Sequence, residues 1–86
     1  MIVAWTDDGW NDYVYWYDDG DYKKVSRIND LVKDMKRHPF TGIGKPEPLK
    51  RNLSGLWSRR IDSKNRIVYD CHKSMITIYS CKDHYW

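Results

Sequence analysis

The spacing of apolar side chains changes once along this chain, and that change constrains the fold more than any other feature. Before Pro39 the spacing is helical. Trp10, Tyr13, Val14 and Tyr17 recur at i, i+3, i+4 and i+7, which predicts one buried face of a helix. Thr6 is placed to cap that helix, and Asp7 and Asp8 suit its positive N-terminal end. Gly20, set among Asp18, Asp19 and Asp21, breaks it. A second helix is expected to start near Asp21. Its apolar stripe is Val25, Ile28, Leu31, Val32 and Met35, and its outer face is basic through Lys23, Lys24, Arg27, Lys33, Lys36 and Arg37. Pro39 ends it.

Residues 40–48 read as a loop built on Gly42, Gly44, Pro46 and Pro48. Beyond it the period becomes two. Strands are expected over 56–61, 66–71 and 75–82, joined by turns at 62–65 and 72–74, so that neighbours run antiparallel. The apolar run Ile2–Trp5 supplies an N-terminal strand, and a short extended piece is expected over 49–53. The result is an α+β domain spanning residues 1–86: an N-terminal strand and a helical hairpin packed on an antiparallel sheet of four to five strands. Turn length then carries a test. A two-residue turn at Ser63-Lys64 would put Arg60 and Arg66 on opposite faces. For both to meet one ligand, the connection must be odd in length or bulged.

Charge is unevenly distributed. Residues 1–22 carry net −6, residues 23–51 net +6 and residues 52–86 net +3. The basic excess fits a polyanionic partner, and fits equally a solvated basic face. Five Trp and seven Tyr suit a small core, a partner interface or a surface that stacks on bases. Cys71 and Cys81 lack metal-ligand spacing, and a secreted domain of this size usually has more cysteines. No apolar run has the length of a signal peptide or a membrane span. These features point to a cytoplasmic protein with reduced thiols and no membrane contact.

The second half holds the parts for metal-free RNA cleavage. In that chemistry a base takes the 2′-hydroxyl proton, the oxygen attacks the neighbouring phosphorus, and an acid protonates the departing 5′-oxygen. Cations balance the charge of the phosphorane. Glu47, Lys50, Arg59, Arg60, Arg66, His84 and Tyr85 could supply these roles. Each has an ordinary alternative: a solvated loop Glu, outward arginines on a sheet, a surface His near a terminus.

Longer motifs change the weighting. Gly44-Lys45-Pro46-Glu47-Pro48-Leu49-Lys50, Asn52-Leu53-Ser54-Gly55, Trp57-Ser58-Arg59-Arg60-Ile61, Arg66-Ile67-Val68-Tyr69 and the closing Cys81-Lys82-Asp83-His84-Tyr85 together resemble the YoeB family of toxins. So does Trp5 followed by Trp10, Tyr13, Tyr15 and Trp16. That family belongs to the RelE-like ribosome-dependent mRNA interferases. The resemblance implies a general base at Glu47, a general acid at His84 and a phosphate-holding Arg66. It also implies that Lys50, Arg60 and Tyr85 bind substrate, with no metal and no cofactor. It implies action on mRNA in the ribosomal A site, a YefM-type antitoxin, and a homodimer as one possible assembly. Family members commonly end at the His-Tyr pair, whereas Trp86 follows here.

Two readings without catalysis compete. A ParE-like toxin shares the RelE-like scaffold and acts by binding gyrase, but lacks the set formed here by Glu47, Arg66 and His84. A plain RNA- or ribosome-binding module would use the basic helix alone. Mapping the 5′-ends of cellular mRNA after a pulse of expression separates all three.

Overall fold

The computed structural model describes residues 1–83. The elements follow in the order β1 (Ile2–Trp5), α1 (Asp7–Asp18), α2 (Tyr22–Arg37), β2 (Glu47–Pro48), a single 3-10 turn (Arg51–Leu53), β3 (Trp57–Arg60), β4 (Arg66–His72) and β5 (Met75–Ser80). The strands form one five-stranded sheet in the order β1-β5-β4-β3-β2. The expected α+β layering holds, with both helices on one face. The sheet is mixed rather than wholly antiparallel: β1 lies parallel to β5, with Val3 opposite Ile76, while the other neighbours are antiparallel. The piece expected over 49–53 is displaced. Extended pairing occurs at Glu47–Pro48, and Arg51, at φ 59, turns the chain away from the sheet.

Both helix starts follow from their caps. The Thr6 hydroxyl accepts the Gly9 N–H at 3.1 Å, and the Asp21 carboxylate accepts the Lys24 N–H at 3.3 Å. The α2 stripe packs as expected: Ile28, Leu31 and Met35 are fully buried against Ile67, Tyr69, Ile76 and Ile78. The buried face of α1 differs from the expected one. Gly9 and Trp16 are buried, while Trp10 and Tyr17 are exposed. Gly9 sets this rotation. A Cβ there would lie 2.5 Å from the Ile78 carbonyl oxygen, so only glycine lets α1 approach β5 so closely. Trp16, two turns on, then reaches under the sheet end and donates its indole N–H to the Cys81 carbonyl at 2.8 Å. Trp10 stacks on Tyr13 and meets Trp5 edge-on beside the outer strand β1.

Candidate active site

The connection between β3 and β4 is residues 61–65, an odd number, and Arg60 pairs directly with Arg66. Directly paired residues share a face. The further pairs Ser58↔Val68 and Glu47↔Ser58 put Glu47, Ser58, Arg60 and Arg66 on one face. The core residues Ile67 and Tyr69 occupy the other face, under the helices. The two arginines and the one glutamate therefore meet on the helix-free face.

Glu47 reaches this face because the loop before it is tied to the edge of β3. Gly44, at φ 80, packs between Leu31 and the Arg59 Cβ, and its carbonyl accepts the Arg60 N–H at 2.7 Å. Pro46 and Pro48 restrict the backbone on either side of Glu47. Its carboxylate then accepts Arg66 Nη1–H at 2.7 Å, and the same nitrogen lies 3.1 Å from Ser58 Oγ. Arg66 is mostly covered, at 14 % side-chain exposure, against 54 % for Glu47. The base candidate thus faces solvent while the cation beside it is held. Lys50 lines a groove of about 280 Å³ together with Glu47, Pro48, Leu49, Arg51 and Leu53. Arg60 is exposed on the same face. The expectations for His84 and Tyr85, and the question of Trp86, fall outside the described residues.

The chain leading to His84 is nonetheless anchored. Cys81 is fully buried, its N–H donates to Asp12 at 3.0 Å, and its carbonyl accepts from Trp16. Burial pushes the Cys81 thiol well above its ordinary range, which keeps it a neutral, unreactive core group. Burial also raises the Asp12 carboxyl, partly opposed by its bond from the Cys81 N–H. The Asp83 N–H donates to the Asn65 side chain at 2.7 Å.

Arg59 has a role that the motif reading did not assign. It is fully buried on the helix side, and its N–H groups make five bonds. Nε donates to the Tyr69 hydroxyl, Nη1 to Asp34 at 2.6 Å and to the Ile43 carbonyl, and Nη2 to the His38 and Thr41 carbonyls. A loop that would otherwise carry unpaired carbonyls is thereby folded around one guanidinium. Strand alternation held the signal: if Arg60 faces out, Arg59 faces in. Asp34 and Asn65 left no such trace, since Arg59 lies 25 positions beyond Asp34 and Asp83 lies 18 beyond Asn65.

The Arg59 guanidinium holds the Asp34 carboxyl below its ordinary value of 3.8. A carboxyl depressed in the folded state adds stability above its unfolded pKa, and that stability disappears as pH falls through the folded value. Stability should therefore decline below about pH 4. The Asp34→Asn variant should show a shallower decline in denaturant titrations across that range. Equal slopes for both proteins would remove Asp34 from the acid response.

Among known proteins, this architecture is that of small bacterial toxins. A structure described as YoeB/ParE toxin from Agrobacterium tumefaciens superposes with a TM-score of 0.94 at 44 % identity, covering 99 % of this chain and 100 % of that one. YoeB of Staphylococcus aureus, solved as a dimer and in a YoeB–YefM complex, superposes at 0.89 with 42 % and 41 % identity, covering 99 % of this chain and 98 % of each. Toxin YoeB of Escherichia coli is 48 % identical over 85 residues, 99 % of this chain and 100 % of the relative. The family described as YoeB-like toxin of bacterial type II toxin–antitoxin system matches residues 5–85. The chain belongs to that family.

Proposed function

We propose that this toxin is an endoribonuclease that cleaves mRNA in the ribosomal A site and so stops translation in the cytoplasm. The observation that carries the reading is the placing of Glu47, Arg60 and Arg66 on one sheet face, with Glu47 2.7 Å from the guanidinium of Arg66. Glu47 takes the 2′-hydroxyl proton and the 2′-oxygen attacks the adjacent phosphorus. The phosphorane charge is balanced by Arg66, with Arg60 and Lys50 binding the flanking phosphates. His84 donates a proton to the departing 5′-oxygen, and Tyr85 shapes the site around it. The nucleophile belongs to the RNA, so the reaction calls for no metal and no cofactor.

An arriving phosphate competes with Glu47 for Arg66. Substrate binding thereby loosens the Glu47–Arg66 pair and turns the carboxylate toward the 2′-hydroxyl. Inhibition by a YefM-type antitoxin fits the same site. Staphylococcus aureus YoeB forms such a complex, and an antitoxin segment that folds on contact would cover the basic face.

The test is product chemistry on programmed ribosomes. Cleavage should persist in EDTA and leave a 2′,3′-cyclic phosphate and a 5′-hydroxyl. A 5′-phosphate product would show that water, rather than the RNA hydroxyl, is the nucleophile, and would remove the roles of Glu47 and His84.

A further inference from the structure

We propose that Asn65 is a positioning residue for the acid half of this reaction, fixing the chain that leads into His84 against the strand that carries Arg66. The inference rests on the reading of His84 as the acid.

Asn65 is buried, at 6 % exposure, and its amide is used at both ends. Its nitrogen donates to the two carboxylate oxygens of Asp62 at 3.1 and 3.2 Å. Its oxygen accepts the Asp83 N–H at 2.7 Å. A carboxylate only accepts and a backbone N–H only donates, so this orientation of the amide is the one chemistry allows. Asp62 is itself held. It accepts the N–H groups of Lys64 and Asn65 at 2.8 and 2.7 Å, and its other oxygen lies 3.3 Å from Lys24 Nζ. Lys24 is fixed in turn by Asp21 at 2.8 Å and by the face of Trp16. A continuous chain of polar contacts therefore runs from the start of α2 to the backbone of Asp83.

Two features make Asn65 more than another anchor. Its sequence neighbour is Arg66, which holds Glu47, so one short stretch touches both the base–phosphate side and the segment that precedes the acid. Asp83 also sits at φ 64, a left-handed conformation that residues other than glycine rarely adopt. The Asn65 bond holds the N–H of that residue. Asp12 and Trp16 hold Cys81, two residues earlier, and leave the N–H of Asp83 to Asn65.

A misplaced acid has a distinctive signature. If sulfur replaces the departing 5′-oxygen, the leaving thiolate needs no proton, and a defect confined to the acid vanishes. Single-turnover cleavage is measured on ribosomes programmed with a short message, with the scissile linkage carrying either oxygen or sulfur. Asn65→Ala should cleave the oxygen linkage about 10- to 100-fold slower than the parent. On the sulfur linkage it should come within a small factor of the parent. His84→Ala should behave likewise. In Asn65→Asp the acceptor for Asp83 survives but two carboxylates oppose each other. Adding Asp62→Asn restores the donor–acceptor match between these two side chains, at the loss of the charge partner of Lys24, so the pair D62N/N65D should regain much of the rate lost in Asn65→Asp. This comparison stands even where Asn65→Ala does not fold. Equal slowing of Asn65→Ala on both linkages, or no recovery in the pair, overturns the positioning role. If His84→Ala is not relieved by sulfur, the acid assignment itself fails, whatever Asn65 does.

Discussion

Replacing Glu47 with Gln is expected to slow cleavage of ribosome-bound message by about 10²- to 10⁴-fold, the usual worth of a general base. Folding should hardly change. The Glu47 side chain is 54 % exposed, and an ion pair that open to solvent contributes about 0–1 kcal/mol. Gln keeps an oxygen for Arg66 Nη1, so the guanidinium retains its orientation. What is lost is the ability to take a proton. Single-turnover rates together with ribosome co-sedimentation separate the two effects: binding should survive while the chemical step collapses. Near-normal cleavage by E47Q would show that the ribosome or another side chain acts as base. Arg66→Lys should also be slow, for a different reason. An ammonium keeps the charge but not the planar fork of donors that fits a phosphate.

How far the sequence reached depended on the range of each interaction. Local features were legible. Thr6 and Asp21 cap the two helices, and the period-two runs became β3, β4 and β5. Arg60 and Arg66 can share a face only across a connection that is odd in length or bulged, and residues 61–65 are odd in number. Features set by distant partners were not legible. An apolar count passes over Gly9, yet its contact with the Ile78 carbonyl, 69 positions along the chain, decides which side of α1 is buried. The parallel pairing of β1 with β5 is likewise a matter of ends meeting, with no mark in either segment. Around the site, the family motif carried Glu47 and Arg66. It was silent on the groups that hold them, because an Asp34 or an Asn65 acquires its role only when its partner is known.

Arg59→Met is expected to have the largest effect on stability of any single replacement near the site. The methionine roughly fills the space but leaves Asp34 and the carbonyls of His38, Thr41 and Ile43 without their shared donor. Removing one member of a buried ion pair costs about 3–5 kcal/mol. Against a total of about 5–15 kcal/mol for a natural domain, that is a large fraction. For a chain of this size it corresponds to a fall in Tm of about 12 °C or more. Asp34→Asn also destabilises, since it leaves the buried guanidinium without a counter-charge, but it should cost less because Arg59 keeps its carbonyl and Tyr69 partners and the amide oxygen still accepts. Arg59→Lys should resemble methionine more than arginine: one ammonium cannot reach acceptors spread over residues 34, 38, 41 and 43 and the Tyr69 hydroxyl. Those acceptors define the loop that delivers Glu47. Cleavage by Arg59→Lys should therefore drop even at temperatures where the variant remains folded, and proteolysis should nick residues 40–46 first. A variant that melted within a few degrees of the parent and cut at the parent rate would mean that the prolines around Glu47, and not the buried guanidinium, hold the base in place.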